Sequence, residues 1–326
     1  MRTLVTGASG FIGSAVVRKL LARGREVRCL VEPGAKLDNL AGLDVEVLHG
    51  DITDPASIRP AFHGVERLFH LAAIYAIWHP RPLLLYKVNV EGTANVLLEA
   101  LRAGVQRVVH TSSIAAVGWR PDRPSNEDDA WDEWLTGADY ERSKWLSERI
   151  ALGFAQSGMA LTVVNPGFPF GERDIGPTPT GQALVDLLKG RILGYPPGGL
   201  SVIDVEDVAE GHLLAMEKGR AGARYILSNH NVTYGDFYRV AAQVAGTKVP
   251  TRKVPMWILR RVGRYYDRRA DRTGKRPVMT EKALMYASRD VFFDNTRART
   301  ELGLPVTPLA DTLARAIEWF RAYGYV

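Results

Sequence analysis

Cysteine is almost absent from the sequence: Cys29 is the only one among 326 residues. A single cysteine excludes a disulfide within the chain, and it excludes a metal centre built from several cysteines. We therefore predict no metal site, and we expect the protein to work in a reducing cytoplasm.

Long apolar runs are also missing, although 46% of the residues are hydrophobic. No stretch reaches the roughly 20 apolar residues that a membrane-spanning helix needs. The chain opens with an apolar run that leads straight into a glycine turn, without the hydrophobic region and cleavage site of a signal peptide. These absences predict a soluble protein whose first residues form a strand.

A net excess of positive charge is absent outside one segment, although the formal net charge is +6. Residues 252–276 contain ten basic side chains against Asp267 and Asp271, a local excess of +8, so the rest of the chain carries about −2. Because the basic residues are not spread over the whole chain, the distribution is that of an ordinary cytosolic enzyme, and we predict no nucleic-acid partner.

The basic segment allows two interpretations. Residues 257–266 place apolar side chains on one helical stripe and arginines on the other. This is compatible with a weak peripheral contact of residues 257–276 with an anionic membrane, which would deliver a lipid-like substrate. It is also compatible with a helix that packs over a lobe of the protein and exposes its charged face to water, and we favour this second interpretation.

Short apolar runs alternate with helical patterns in the first half of the chain. Strands that alternate with helices of about 10–15 residues need crossover connections, so they predict a parallel sheet covered by helices on both faces. The predicted fold is therefore a doubly wound α/β fold of the Rossmann type. Strands are predicted at residues 4–5, 26–32, 45–49, 68–72, 107–112 and 161–165, and helices at residues 14–23, 89–103 and 140–156.

The regular alternation ends after Pro166, where stretches rich in glycine and proline precede mixed helices. Ligands of doubly wound sheets bind outside the carboxyl ends of the strands, among loops and clefts. We therefore predict a dinucleotide-binding Rossmann core at residues 1–166. Residues 167–326 are predicted to form mainly a smaller C-terminal substrate lobe, with some segments that return to the core.

A glycine turn follows the first predicted strand and opens the first predicted helix. Its three glycines permit a tight turn and let backbone N–H groups approach a pyrophosphate, which the helix dipole also attracts. The turn therefore predicts a dinucleotide cofactor. Its predicted cofactor contacts are Gly7, Ser9, Gly10, Phe11, Ile12 and Gly13.

Acidic residues follow the second and third predicted strands. Glu32 stands where a carboxylate accepts hydrogen bonds from the adenosine ribose hydroxyls and repels a 2′-phosphate, so NAD is favoured over NADP. Lys36 is near enough in sequence to leave NADP open. Asp51 is placed to meet the adenine amino group.

A tyrosine and a lysine four residues apart predict the reaction centre. Tyr140 and Lys144 fall on one face of a predicted helix. A nearby ammonium favours the phenolate and lowers a tyrosine pKa, ordinarily about 10, so we expect Tyr140 to act as general acid/base and Lys144 to tune it and to reach the nicotinamide ribose. Ser113 ends a predicted strand, and its hydroxyl can hold a substrate oxygen against Tyr140.

Together these motifs resemble the extended short-chain dehydrogenases/reductases, a family that includes sugar-nucleotide epimerases, dihydroflavonol reductases and 3β-hydroxysteroid dehydrogenases. The resemblance covers essentially the whole chain. Residues 6–13 resemble the family's glycine loop, residues 50–52 its adenine site, residues 70–73 its fourth-strand motif and residues 89–93 its helix motif. The triad of the family matches Ser113, Tyr140 and Lys144.

The resemblance also implies further contacts and partners. A homodimer is implied, formed through the helices predicted at residues 89–103 and 140–156. Residues 175–181, 205–208 and 318–324 are most similar to a bacterial subgroup labelled hopanoid-associated sugar epimerase, itself similar to dihydroflavonol reductases. The additional cofactor contacts implied are Ile52, Leu71, Ala72, Ala73, Asn89, Thr111, Tyr140, Lys144 and Pro166.

Departures from the family pattern narrow the reaction. Dehydratases of the family carry an Asp-Glu pair just after the triad Ser/Thr, whereas residues 114–116 are Ile-Ala-Ala here. Epimerases of the family carry a diphosphate-binding Asn after the sixth strand, where this chain has Phe168, and Glu172 replaces a family Pro. These changes disfavour a dehydratase, weaken a diphosphate site and favour an apolar or aromatic substrate. Many relatives carry Arg at the position of Glu32, which supports NAD.

The predicted substrate contacts are mainly aromatic and follow the predicted strands. Arg173 is an alternative contact for a substrate carboxylate or phosphate. His70, inside an apolar strand, is interpreted as structural rather than catalytic. The aromatic contacts are Tyr75, Trp78, Trp119, Phe168 and Phe170.

Three functions stay open at this point. The first is an oxidoreductase that moves a hydride between the nicotinamide and a secondary alcohol or ketone carbon of a small molecule. The second is a sugar or sugar-nucleotide epimerase that oxidises and re-reduces one carbon with the same triad. The third is a cofactor-binding protein without catalysis, which would not need the triad that this chain has.

Overall fold

The computed structural model describes residues 2–275, 277 and 279–326. Arg276, the last basic residue of the segment 252–276, lies outside the described residues. The strands are β1 (Arg2–Thr6), β2 (Glu26–Val31), β3 (Glu46–His49), β4 (Arg67–His70), β5 (Arg107–Thr111), β6 (Leu161–Pro166), β7 (Phe168–Phe170), β8 (Gly199–Asp204), β9 (Arg224–Leu227) and β10 (His230–Thr233).

A parallel sheet of seven strands forms the centre of the molecule, in the order β3-β2-β1-β4-β5-β6-β9. Its short runs of valine, leucine and isoleucine are buried on both faces, as a sheet covered on both sides requires. The strand order reverses between β1 and β4, which opens a crevice at their carboxyl ends. The predicted doubly wound α/β fold is confirmed.

Helices cover both faces of this sheet. On one face α1 packs against α7, and on the other α4 packs against α5. The three helices predicted before residue 166 are present within a few residues of their expected bounds. The helices are α1 (Phe11–Ala22), α2 (Pro55–Ile58), α3 (Leu83–Tyr86), α4 (Gly92–Arg102), α5 (Asp139–Gln156), α6 (Pro179–Leu188), α7 (Val205–Lys218), α8 (Tyr234–Ala245), α9 (Met256–Thr273), α10 (Glu281–Ala287) and α11 (Leu309–Ala322).

The six predicted strands are all present, but β4 ends earlier than expected. It stops at His70 because the backbone N–H groups of Leu71 and Ala72 turn to the Thr6 hydroxyl, each at 3.2 Å. This turn carries the chain over the glycine turn of β1. The seventh strand, β9, was not predicted, since its apolar run of three residues, 225–227, is too short to show a period.

A second, smaller body lies beyond the carboxyl ends of the central strands. Here β8 pairs with β7 in parallel and with β10 in antiparallel fashion. Helices α6, α8 and α11 pack around Phe170, Phe237 and Phe320 in a core of their own. However, β9 and α7, which also follow residue 166, belong to the central sheet and its helical layer. The division of the chain into residues 1–166 and 167–326 stays a prediction.

The helix in the basic segment is longer than the stretch that suggested it. Helix α9 packs against α10, and Leu259, Gly263 and Ala270 are its buried residues. Its outer face is charged and exposed, as the favoured interpretation of the segment expected. No helix in the described part of the chain is long and apolar enough to cross a membrane.

Candidate active site

The glycine turn between β1 and α1 leaves no room for side chains. Gly7 has a φ of +67°, and a Cβ there would lie 2.7 Å from the backbone nitrogen of Ala72. A Cβ on Gly13 would clash with the carbonyl oxygen of Gly7. Glycine is required at both positions because the strand, the turn and the helix pass this close to one another. The result is a turn whose backbone is open to a ligand.

The first turn of α1 is suited to an anion. Gly10 is the N-cap and offers no side chain to the N–H groups of the first turn, and that turn has no acidic residue. A helix N-terminus carries partial positive charge and free N–H donors, which a pyrophosphate can satisfy. The residues present therefore fit the pyrophosphate of a dinucleotide.

The residues expected to read the adenosine half lie at the edge of the sheet, in solvent. Glu32 follows β2 directly and is exposed, and within the described residues no hydrogen bond or ion pair holds its carboxylate. Lys36 is exposed as well. Asp51 follows β3, and its Oδ1 accepts a hydrogen bond from the N–H of Thr53 at 2.8 Å. Both carboxylates stay available for a ligand, but they lie outside the cavity described below.

The three residues of the predicted triad lie along one wall of a cavity, at the carboxyl end of β5. Lys144 is 4% exposed, and its Nζ donates to the carbonyl oxygen of Thr111 at 2.9 Å. The Ser113 hydroxyl accepts from the N–H of Ala115 at 3.1 Å, which fixes its position. Tyr140 is the second residue of α5 and lies four residues before Lys144.

The pKa of Tyr140 is raised, whereas we expected Lys144 to lower it. Burial is the main cause of the rise and the Tyr75 phenol adds to it, while a hydrogen bond with Ser113 acts in the opposite direction. The rings of Tyr75 and Tyr140 lie only 5.1 Å apart. The expectation was wrong because burial takes the phenolate out of water and outweighs the hydrogen bond with Ser113, and the charge of Lys144 is not among the causes of the shift. Tyr140 therefore holds its proton at neutral pH.

A buried carboxylate, Glu148, lies one helical turn after Lys144 and was not singled out from the sequence. Burial lowers the pKa of Lys144 to about 8, and Glu148 acts to raise it. Glu148 is 0% exposed; it pairs with Arg224 at 2.9 Å and accepts from Asn165 Nδ2 at 2.6 Å. The same amide donates to the carbonyl oxygen of Ser113 at 2.9 Å. An acidic residue four positions after Lys144 on one helix face was the available signal.

Two neutral histidines lie beneath the triad. His70 contacts the hydroxyls of Thr6 at 2.8 Å and Thr93 at 3.1 Å, and its ring is 5.3 Å from that of His110. Burial, followed by the charge of Lys144, lowers the pKa of His70 to about 3, and burial holds that of His110 well below its usual value. The structural interpretation of His70 agrees with these contacts.

The cavity beside the triad has a volume of about 500 Å³ and is mostly apolar. The glycine turn and the ends of β4, β5 and β6 form one side, while α6, α8 and α10 cover the other. The charged residues that line it are Glu141, Lys144 and Lys282, and no arginine of the described residues does so. Beyond the glycine turn its aromatic residues are Tyr75, Tyr140, Phe168, Phe170, Tyr234, Phe237, Tyr238 and Tyr286.

Three of the six predicted substrate contacts do not reach this cavity. Trp119 turns away from it, because its indole N–H donates to the carbonyl oxygen of Asp290 at 3.0 Å and the Arg289 guanidinium covers its ring at 4.7 Å. Trp78 and Arg173 are also absent from the lining, and Arg173 adopts a φ of +72° in a loop outside it. The predicted contacts that do line the cavity are Tyr75, Phe168 and Phe170.

Some of the predicted cofactor contacts line this cavity, and others lie outside it. Asn89 is buried below the cavity, where its amide accepts from the N–H of Ile74 at 2.7 Å and donates to Ser143 at 3.0 Å, so it braces the loop after β4. Ser9, Glu32, Asp51, Ile52 and Ala72 also lie outside the cavity. The predicted contacts that line it are Gly7, Gly10, Phe11, Ile12, Gly13, Leu71, Ala73, Thr111, Tyr140, Lys144 and Pro166.

Two charged residues at the substrate side were missed by sequence reasoning. Glu141 accepts from the N–H of Ala138 at 2.8 Å, and burial raises its pKa to about 7. Lys282 comes from α10 and donates to the carbonyl oxygen of Gly137 at 3.0 Å. No pattern in the sequence places Lys282 near the triad, because only the folding of α10 over the cavity does so.

Known proteins share this architecture. Residues 3–228 match the model of the NAD dependent epimerase/dehydratase family, which is more than half of the chain. The chain belongs to this family. The enzyme is therefore a nicotinamide-dependent oxidoreductase or epimerase, and the resemblance to the extended short-chain dehydrogenases/reductases is confirmed.

Relatives of this family member match over its full length. A putative dihydroflavonol 4-reductase from Synechocystis sp. is 36% identical over 99% of this chain and 95% of its own. Sterol demethylase protein B from Methylococcus capsulatus is 37% identical over the whole of both chains. The structure of a nucleoside-diphosphate-sugar epimerase from Pseudomonas aeruginosa is 29% identical, with a TM-score of 0.81 over 100% of this chain and 99% of that one.

Proposed function

We propose that this enzyme is an NAD-dependent ketoreductase or alcohol dehydrogenase that acts on a secondary alcohol or ketone carbon of an apolar or aromatic molecule. The observation that carries the proposal is the cavity beside Tyr140, which is lined by aromatic rings and has no arginine among its described lining residues. A nucleoside diphosphate needs cations for its two phosphates, and here only Lys144 and Lys282 carry positive charge. An apolar ring system would instead be stabilised by packing against the aromatic side chains that line the cavity.

The triad can carry the proton part of the reaction. A bound nicotinamide supplies the hydride chemistry. Tyr140 holds its proton at neutral pH and donates it to the carbonyl oxygen during reduction, while the Ser113 hydroxyl orients that oxygen. Lys144 places its positive charge beside the site where negative charge develops on oxygen. In the reverse direction the phenolate form of Tyr140 takes the proton of the alcohol.

NAD is the proposed cofactor, and NADP is the alternative. The exposed carboxylate of Glu32 at the end of β2 can accept from both ribose hydroxyls of the adenosine and would repel a 2′-phosphate. The ammonium of Lys36 is also exposed nearby in sequence. The names of two relatives, a dihydroflavonol reductase and a sterol demethylase protein, support an apolar or aromatic substrate.

Cofactor stoichiometry tests the proposal. With a panel of aromatic and polycyclic ketones, we expect one NADH to be oxidised for each carbonyl reduced. Tyr140→Phe should lower kcat by roughly a hundredfold to ten-thousandfold, because it removes the proton donor, and should leave NADH binding unchanged. An enzyme that reduces no such ketone, or that keeps its rate in Tyr140→Phe, would contradict the proposal.

A sugar epimerase is the second candidate. The structural similarity to a nucleoside-diphosphate-sugar epimerase and the family name favour it. The same triad would oxidise and re-reduce one carbon, so the absorbance of NADH would not change with turnover. Interconversion of a sugar nucleotide at constant NADH would select this candidate over the first.

Three statements about the enzyme's surroundings remain proposals. The first is a homodimer through α4 and α5, which the exposed Leu98 and Leu101 of α4 support. The second is a cytoplasmic location. The third is a peripheral contact of residues 257–276 with a membrane.

A further inference from the structure

Helix α9 exposes aromatic residues on its basic face. Trp257 is 63% exposed and Tyr265 is 61% exposed, although the sequence pattern placed the apolar residues of this helix on the stripe opposite the arginines. The buried positions are instead Leu259, Gly263 and Ala270. Trp257 and Tyr265 lie eight residues apart, which is slightly more than two helical turns. Both rings therefore fall on the same side of the helix as the exposed arginines between them. The outer face is therefore mixed, with aromatic and cationic side chains together.

Most arginines on this face have no acidic partner. Arg264 is the exception, because it pairs with Glu281 of α10 at 3.1 Å. Asp271 is an exposed acid on the same helix. The arginines that are exposed and form no ion pair within the described residues are Arg260, Arg261, Arg268, Arg269 and Arg272. Unneutralised charge of one sign at this density attracts a polyanionic partner.

An exposed leucine adjoins the start of this helix. Leu193, in the loop after α6, is 85% exposed. The loop is tied to the segment before α9 by two backbone bonds, from Tyr195 N–H to Arg252 at 3.0 Å and from Val254 N–H to Tyr195 at 2.9 Å. Leu193 lies two residues before Tyr195, so these bonds place it on the same side of the molecule as the segment that leads into α9.

We infer that the outer face of α9, together with Leu193, docks on the anionic surface of a lipid bilayer. The arginines would bind lipid headgroups, and Trp257, Tyr265 and Leu193 would enter the boundary between headgroups and acyl chains. Tryptophan and tyrosine favour this boundary because their rings are apolar at one end and polar at the other. We define this docking surface by Leu193, Trp257, Arg260, Arg261, Tyr265, Arg268, Arg269 and Arg272.

The composition of the docking surface favours lipid over other anionic or protein partners. A nucleic-acid backbone would satisfy the arginines, but it would leave the exposed Leu193 without an apolar partner. A second copy of the chain would bring like charges of the same helix together, which costs free energy. A bilayer surface offers anionic groups and apolar volume side by side, so it matches both kinds of side chain on the docking surface.

The docking surface lies next to elements that enclose the cavity. Helix α10 packs on α9 and lines the cavity with Leu284 and Tyr286, and the loop that carries Leu193 follows α6, which also lines it. Docking would therefore bring α6 and α10, which cover the cavity, close to the bilayer. This inference rests on the proposed membrane contact of residues 257–276 and names its surface and its lipid partner. It does not depend on the proposed reaction, because membrane binding is measured without turnover.

Vesicle sedimentation tests the inference. We expect the full chain to sediment with vesicles of phosphatidylglycerol and phosphatidylcholine in equimolar mixture, and not with phosphatidylcholine alone. The triple variant Arg261→Gln, Arg268→Gln, Arg272→Gln should bind on the order of a hundredfold more weakly, since each basic residue near the surface contributes roughly a fivefold gain. The double variant Leu193→Ser, Trp257→Ser should lose at least about tenfold.

A matched control separates docking from general stickiness. Leu83 is 78% exposed on the N-terminal half of the chain, and Leu83→Ser should bind as the parent does. Unchanged unfolding temperatures and elution volumes would show that the variants fold and assemble normally. The inference is overturned if both docking variants sediment as the parent does. It is also overturned if duplex DNA binds more tightly than the vesicles and Leu193→Ser, Trp257→Ser leaves binding unchanged, or if the docking variants change only the oligomeric state.

Discussion

Lys144 belongs to the proposed triad, and burial lowers its pKa to about 8. Below that pH the side chain is a cation beside the reacting oxygen, and above it the charge is lost. We therefore predict that kcat/KM for ketone reduction falls about tenfold per pH unit as the pH rises above about 8. Rates measured across this range with saturating NADH test the prediction.

Two variants assign the fall to Lys144. Arginine does not lose its proton in this range, so the residual activity of Lys144→Arg should show no fall near pH 8. Glu141 also lines the cavity, and burial raises its pKa to about 7, so Glu141→Gln should keep the alkaline fall while it removes any change near pH 7. A fall at the same pH in Lys144→Arg would show that another group is responsible.

At the residue scale, the sequence could name the triad but not its electrostatics. The spacing of Tyr140 and Lys144 placed them on one helix face, and that placement is what the structure has. The direction of the pKa of Tyr140 was predicted wrongly. The spacing of two residues in a sequence shows which charges are close on a helix. Burial depends instead on Tyr75 and other residues that the fold packs around Tyr140.

At the scale of elements, the carboxyl end of β2 presents Glu32 next to the glycine turn. We predict that Glu32→Arg shifts the ratio of NADH to NADPH affinity roughly tenfold to a hundredfold toward NADPH, because a hydrogen bond to a charged phosphate replaces a repulsion. Fluorescence titration with both cofactors measures this ratio.

Glu32→Gln and Lys36→Gln divide the effect into its parts. Glu32→Gln should relax the preference without reversing it, since it removes the repulsion and adds no cation. Lys36→Gln should leave the ratio close to that of the parent. If the parent already binds NADPH more tightly and Glu32→Arg changes nothing, the role given to Glu32 is wrong.

Long elements were predictable, and short ones were not. Strands such as β6 span six residues that are all buried, and helices such as α5 keep a clear period over 18 residues. By contrast, β7 spans three residues and is recognised only by its pairing with β8, where Phe168 lies opposite Val202. A strand this short has no period to detect, so its partner defines it.

At the scale of the whole molecule, a buried ion pair joins parts of the chain that are far apart in sequence. Glu148 of α5 pairs with Arg224 of β9, and Asn165 of β6 donates to it. We predict that Glu148→Gln lowers the free energy of unfolding by roughly 3 kcal/mol, because it leaves Arg224 buried without its carboxylate. It should also move the alkaline fall of kcat/KM to lower pH, since Glu148 raises the pKa of Lys144.

Urea unfolding and the pH profile measure these two effects. Glu206 forms an exposed pair with Lys19 at 3.2 Å, so Glu206→Gln is a matched control that should change stability by less than about 1 kcal/mol. The double variant Glu148→Gln, Arg224→Met should recover part of the loss, because it no longer buries a lone guanidinium. An unchanged pH profile in Glu148→Gln would contradict the proposed link to Lys144.

The sequence by itself determined the fold class and the family, and it placed two residues of the proposed triad on one helix face. These depend on local information: glycine spacing, apolar periods, and Tyr140 and Lys144 one helical turn apart on the same chain segment. Only the tertiary structure decided the cavity, since its walls come from α6, α8 and α10, which follow the triad by many residues. The tertiary structure also places Trp78, Trp119 and Arg173 outside the lining of this cavity. It places Glu141 and Lys282 in that lining. Local spacing fixes which residues share a face, but long-range packing decides what that face meets.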